Sequence, residues 1–477
     1  MSEAKKFDVK YVHYLVTAII IIGSHFMPQM GPITPLGMAV MGTFIGVIYG
    51  WTFLDMIWPS IFGLISLGYA VGMQNVLTAS LGSPVIALCI LTFAALTVLN
   101  ESKLTDVLVR VIVSNRFAKG RPWIFVLFFF LCAYICAQIN VFVSILLLSG
   151  ILLDMCTKLE VKPFTKFPAY MLLGVALGVQ MGQIMIPFRS SALTLVGAYS
   201  SMTGGMPNFI QYMAFVIPMG ILMIVAYVLI GRFILRVDVS PIANMPDDFF
   251  GEKAKLTSDQ KKALGYLVGI TLMLLSTTIL PKTWAITTVL TKITMFGQAA
   301  IVILILMLIK KEDGTPFFNY SACAAKGMSW EGIWMTAFIL PIAQYMTAGD
   351  TGIAAGLRIL LAPLSGLSPI LFVVGFMLFA AIITNFANNI TLAVVMLPVA
   401  LTFAGQVGLP ATGMACMIFV VTQLALFTPG ASVPAGMAFS HSNWVNASSM
   451  MAIGAISVVI MTLIFLAVGI PYMNIIF

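Results

Sequence analysis

The stretch Pro369–Thr402 reads PILFVVGFMLFAAIITNFANNITLAVVMLPVALT, apolar at both ends and polar at its centre, Thr384-Asn385-Phe386-Ala387-Asn388-Asn389. A membrane-crossing helix takes roughly 17–25 residues, so this run is too long for one crossing and too short for two. A re-entrant hairpin fits: the chain enters, turns at the polar tip and leaves by the same side. Pro122–Thr157 has the same length class and a polar tip at Gln138-Ile139-Asn140. Basic residues flank it on both sides, Arg116, Lys119 and Arg121 before and Lys158, Lys162 and Lys166 after. Cytoplasmic loops concentrate Lys and Arg, so this hairpin opens to the cytoplasm. The 369–402 stretch has only Arg358 as a nearby cation and opens to the other side.

Composition agrees that the solvent is lipid. The 477 residues are 61% hydrophobic and 8% charged, where soluble domains run at roughly 25% charged, and mean hydropathy is +1.07. A soluble enzyme, a nucleic-acid binder and a secreted disulfide scaffold are excluded. The net charge of +8 is the positive-inside bias of cytoplasmic loops. The six cysteines form no Cys-x-x-Cys and read as small buried hydrophobes. Nothing resembles a nucleotide-binding loop, so ATP is not expected, and neither is a tightly bound cofactor. Met1–Lys10 is polar and reads as no cleavable leader.

Apolar spans at Tyr11–Met27, Leu36–Gly50, Phe53–Met73, Pro84–Ser102, Asn208–Ile234, Leu264–Leu280, Gly297–Ile309, Gly332–Thr347 and Ser449–Tyr472 surround the hairpins. Together they give an all-α polytopic protein of the inner membrane, with about eleven crossings and a cytoplasmic N-terminus. All but four of the 24 basic residues then lie inside; Lys282, Lys292 and Arg358 lie outside and Arg189 within the membrane.

The halves repeat. Asn140 and Asn389 are 249 positions apart, Glu101 and Asp350 also 249, Pro187 and Pro434 247. After each hairpin comes a segment broken by proline and small residues, Gln183–Ser190 and Thr428–Ala435. Such inverted repeats, with half-helices ending at the midplane, are the build of secondary transporters. The expected division is 1–121 scaffold, 122–235 hairpin and broken helix, 236–262 cytoplasmic linker, 263–365 scaffold, and 366–477 the second hairpin and broken helix.

At these residues the chain resembles the divalent anion:sodium symporter family, carriers of di- and tricarboxylates and sulfate. The resemblance spans nearly the whole chain, from His25-Phe26-Met27-Pro28 through both hairpins and both broken helices. In that family each hairpin tip carries Ser-Asn-Thr and each broken helix a Pro-Pro-Asn-like turn, which together bind sodium and carboxylate. Here Asn388, Asn389 and Ile390 stand for Ser-Asn-Thr, and Ile139, Asn140 and Val141 keep only the Asn. Ser432 stands for a Thr of the family, and Ala435 for an Asn. The resemblance implies sodium at Thr384, Asn389 and the carbonyls around Ala431. It implies substrate at Asn140, Ser190, Asn388, Asn389 and Ser432, and a homodimer joined through its scaffolds.

Arg189 departs from the family, which has an uncharged Asn at that turn. A guanidinium at that depth is costly unless paired. One reading makes Arg189 a fixed positive charge that replaces a sodium ion and binds the substrate anion; the other has it snorkel to the surface or pair with a buried carboxylate such as Asp154. Asn140 and Asn389 read as site residues or as helix caps. Gln138 and Gln183 read more as interhelical glue. The functional expectation is secondary transport of a small anion, a di- or tricarboxylate, coupled to sodium or to exchange of another anion. The alternatives are a cation:proton or arsenite-type exporter and a carboxylate receptor that does not transport.

Overall fold

The computed structural model describes residues 9–113, 120–243, 256–361 and 368–477, and the elements found there are helices linked by turns and loops, with two isolated bridges. The first half comprises α1 (Lys10–Ser24), α2 (Pro35–Phe53), α3 (Ile57–Val71), α4 (Met73–Ala79), α5 (Pro84–Glu101), α6 (Leu104–Val113), α7 (Pro122–Cys136), α8 (Val141–Lys158), α9 (Lys166–Gln183), α10 (Ser190–Thr203) and α11 (Phe209–Leu229). The second comprises α12 (Ser240–Ala243), α13 (Ser258–Ile279), α14 (Ala285–Leu308), α15 (Tyr320–Gly327), α16 (Trp330–Thr347), α17 (Ile353–Leu361), α18 (Pro369–Ile383), α19 (Asn389–Val407), α20 (Ala411–Val421), α21 (Val433–Phe439) and α22 (Ala447–Ile476). Among the described residues eight helices are long and apolar enough to cross a membrane, α2, α5, α8, α11 with its continuation to Ile234, α13, α14, α19 and α22, and α1, α3, α7, α18 and α20 are shorter apolar helices. Arg116, Lys119 and half of the charged residues of the expected linker, Asp247, Asp248, Glu252, Lys253 and Lys255, lie outside the described residues.

Both expected hairpins are present, α7–α8 and α18–α19. Pro122 and Pro369 open their first helices, where proline's missing N–H costs nothing and its fixed φ suits a helical start. Each return helix is started by an asparagine cap. Asn140 Oδ1 accepts from the Val143 N–H at 3.0 Å, and Asn388 Oδ1 accepts from those of Ile390 and Thr391, both at 3.1 Å. The equivalent of Asn140 is therefore Asn388, one position from the pairing the repeat arithmetic gives; Asn389 is the first helical residue.

The hairpins open at opposite ends of the bundle. The Phe164 N–H, beyond the open end of α7–α8, donates to the Trp444 carbonyl beyond α21 at 2.8 Å. Tyr199, late in α10, hydrogen-bonds Thr412 at the start of α20 at 2.8 Å. The two broken helices thus run antiparallel, each from its own hairpin's open end to the other's.

At the centre of the molecule is α9, buried along nearly its whole length. Its glycines make this possible. A Cβ on Gly174 would strike the Phe130 ring, on Gly178 the Phe130 carbonyl, and on Gly182 the Tyr134 carbonyl and the Ala137 side chain. Small residues four apart let two helix backbones approach closely, and here they seat α9 against the hairpin.

The short helices α4, α6, α12, α15 and α17 have no counterpart among the expected spans. The amphipathic α6 and α17 each follow a scaffold helix (α5, α16) and precede a hairpin; α6 lies against α7, and α17 against α19. They link scaffold to hairpin at the same point of each repeat.

Candidate functional site

Both hairpin tips and both helix breaks meet at one cavity of about 490 Å³. Ala137–Phe142 of the first tip, Asn388–Ile390 of the second, Gln183 and Arg189 of the first break, and Val433 and Pro434 after the second all line it. Scaffold residues complete the wall: Phe93, Leu96 and Asn100 from α5, and Lys326, Gly327, Met328, Ser329, Gly332 and Met335 from the α15–α16 corner. The cavity reaches the end of the bundle where Lys326 Nζ lies 3.3 Å from Glu101 Oε1, both side chains well exposed. Gln260 Nε2 donates to the carbonyl of Ser102, next to Glu101, at 3.2 Å, and Lys262 Nζ donates to the Lys310 carbonyl at 2.9 Å, so Lys262 and Lys310 lie at that end too.

Helices α8, α10, α19 and α21 all begin at the cavity, so their positive dipole ends converge on it. Three are capped by a side chain: Asn140, Asn388 and Ser432, whose Oγ accepts from the Ala435 N–H at 3.1 Å. Arg189 occupies the cap position of α10 and supplies no capping side chain. Its orphan N–H groups therefore lie beside a guanidinium.

The Arg189 side chain is 9% exposed. Its Nη1 donates to the Gln138 carbonyl at 3.0 Å, and among the described residues no carboxylate forms an ion pair with it. Asp154, the partner considered from sequence, instead pairs with Lys158 at 2.8 Å in an exposed position. A buried guanidinium without a counter-charge costs several kcal/mol relative to water, and an anion in the cavity would offset that cost.

A chain of amides joins the repeats behind Arg189. Ser191 Oγ donates to Gln183 Oε1 at 3.0 Å, and Gln183 Nε2 donates to Gln423 Oε1 at 2.7 Å. Asn389 Nδ2 donates to the same Gln423 oxygen at 2.8 Å. The Tyr212 hydroxyl donates to the Ile184 carbonyl at 2.7 Å and satisfies the first break.

At the second tip Asn385, fully buried, binds the facing break: its Oδ1 accepts from the N–H groups of Leu426 and Phe427 at 2.7 and 2.9 Å. Thr428 Oγ1 donates to the Asn385 carbonyl.

Of the residues singled out from sequence, Asn140, Arg189, Asn388 and Asn389 come together on the cavity wall. Ser432 is a buried cap one residue behind it. Thr384 donates to the Thr422 carbonyl at 2.8 Å, and Ala431 is fully buried in the second break. The Ser190 side chain lies outside the described residues. Among the wall residues that sequence did not single out are Asn100, Thr194, Lys326 and Ser329, brought there by tertiary packing alone. Gln423 is also new, and its one available signal is its place after Thr422 in an apolar run. His441 lies beyond α21; burial holds its pKa below the ordinary value, which favours the neutral imidazole.

No family model matches the chain, and no curated protein matches it. Among solved structures, the crystal structure of the Alcanivorax borkumensis YdaH transporter, described as having an unusual topology, has a similar fold. The match has a TM-score of 0.55 at 12% identity, covering 84% of this chain and 89% of that one. At that identity the likeness concerns the fold.

Proposed function

We propose that the protein is a secondary transporter of a small carboxylate anion, working by alternating access, with Arg189 as the fixed charge that receives the carboxylate. The observation that carries this reading is the state of Arg189: buried on the cavity wall, with a carbonyl but no carboxylate as partner, at the uncapped start of α10. A guanidinium matches a carboxylate in bidentate geometry, and the adjacent N–H groups add a second source of positive potential. Cation exchange is less well supported, because no Asp or Glu stands among the described wall residues. The similar fold of a protein described as a transporter supports transport in general terms.

With most basic residues facing the cytoplasm, the cavity opens inward. The proposed coupling is exchange against a second anion, since Arg189 supplies the charge that sodium would otherwise bring. Sodium symport through oxygens of Thr384, Asn389 and the carbonyls around Ala431 is the competing arm.

Uptake of a labelled small carboxylate into proteoliposomes separates these readings. Uptake only into vesicles preloaded with unlabelled carboxylate supports exchange, and uptake that needs an inward sodium gradient supports symport. Arg189→Gln should lower anion affinity at least tenfold, because hydrogen bonds to charged groups are worth about 1.5–3 kcal/mol. Unchanged affinity in that variant sinks the reading.

A further inference from the structure

We propose that the ligand is a monocarboxylate that also carries a neutral hydrogen-bond donor, a hydroxyl or an amide N–H, and is not a dicarboxylate. This rests on the reading of Arg189 as the carboxylate partner and extends it to the rest of the molecule.

Charge decides the first part. The described wall holds two cations, Arg189 and Lys326. Lys326 already has a carboxylate, Glu101, at the exposed rim. That leaves one uncompensated positive charge in the interior, enough for one carboxylate. A second carboxylate would be desolvated with no second cation to pair with, and the N-terminal N–H groups of α10 lie beside Arg189, where the first carboxylate takes them up.

Orphaned acceptors decide the second part. Gln138 and Asn100 both line the cavity, and each has a buried amide oxygen that accepts no hydrogen bond from the described residues. Gln138 is 7% exposed, and its Nε2 donates to the Gly182 carbonyl, which fixes Oε1 as the free atom. Asn140 and Asn388 differ, because their oxygens are already used as caps. A buried acceptor without a donor is costly, and another carboxylate, itself an acceptor, would add repulsion. A hydroxyl or amide N–H supplies the missing proton. An ammonium group fits less well, since Arg189 repels it and no described wall residue is acidic.

The test uses the full chain in proteoliposomes and three matched four-carbon anions: succinate, succinamate and butanoate. The expected result is half-saturation by succinamate at a concentration at least tenfold lower than by either of the others. Asn100→Leu should bring succinamate and butanoate within about threefold of each other. Gln138→Leu should do the same, and Asn100→Leu stands as the independent check because Gln138 also holds Gly182. Preference for succinate, or equal handling of succinamate and butanoate by the unmodified protein, overturns the inference and leaves the carboxylate reading standing. Transport of none of the three, or transport that survives Arg189→Gln, overturns the carboxylate reading and the inference with it.

Discussion

Gln423 is the residue on which the two repeats are tied together. One oxygen accepts from Gln183 of the first broken helix and from Asn389 of the second hairpin, and the Gln423 side chain is fully buried. Gln423→Leu leaves both donors unpaired, at about 1–3 kcal/mol each, so unfolding in detergent should show a loss of about 2–6 kcal/mol. Adding Gln183→Leu removes one orphaned donor, and the double variant should be no less stable than the single one; a further additive loss would show that the amide chain is not a unit. Sequence could not single out Gln423, because one glutamine in an apolar run has the signature of ordinary interhelical glue. Arg189 was legible for the opposite reason: charge at that depth is rare enough to demand an account. What sequence left open was its partner, a question of distances, which the Asp154–Lys158 pair closes for Asp154.

At the scale of elements, the hairpins were legible because length, polar tip and flanking charge all point the same way. The register of their tips was not, since Asn388 and Asn389 are chemically identical and only cap geometry separates them. The amphipathic α6 and α17 escaped because a short helix lying beside a long apolar run merges with it in hydropathy. The seat of α9 on α7 gives the sharpest element-level prediction. A methyl at Gly182 would meet backbone, the Tyr134 carbonyl, and the Ala137 Cβ at 2.7 Å. Backbone cannot rotate away, so Gly182→Ala should cost about 1–3 kcal/mol and displace the tip that carries Gln138. Gly150, on the exposed face of α8, has nothing within 4 Å of the added Cβ. Gly150→Ala should therefore raise stability by about 0.5–1 kcal/mol. Opposite signs for the two substitutions in the same unfolding assay are the expected outcome, and equal signs would mean the seat is looser than drawn.

For the whole molecule, the proposed alternating access would make the present shape one of two. The cavity is walled on one side by the hairpin tips and breaks and on the other by α5, α15 and α16, and it opens at the end where Lys326 and Glu101 lie. Exchanging the conformations of the halves would close that end and open the other. The repeat was legible from three offsets. The scaffold's share of the wall was not, because Asn100 and Met328 are far apart in sequence and are joined only by packing, in part through Thr97 Oγ1, which donates to the Cys323 carbonyl at 3.0 Å. Met328, on the wall between α15 and α16, is the place to test the exchange. The six native cysteines are all buried, so a cysteine from Met328→Cys should be the principal target of a membrane-impermeant maleimide. A carrier resting in this state should be labelled from the basic side only, and labelling should slow severalfold when a transported anion drives part of the population through the opposite state. A channel would react from both sides at once, whether or not the anion is present. Side-specific labelling that the anion slows is the result alternating access requires, and labelling from both sides would leave the inverted repeats as the frame of a pore.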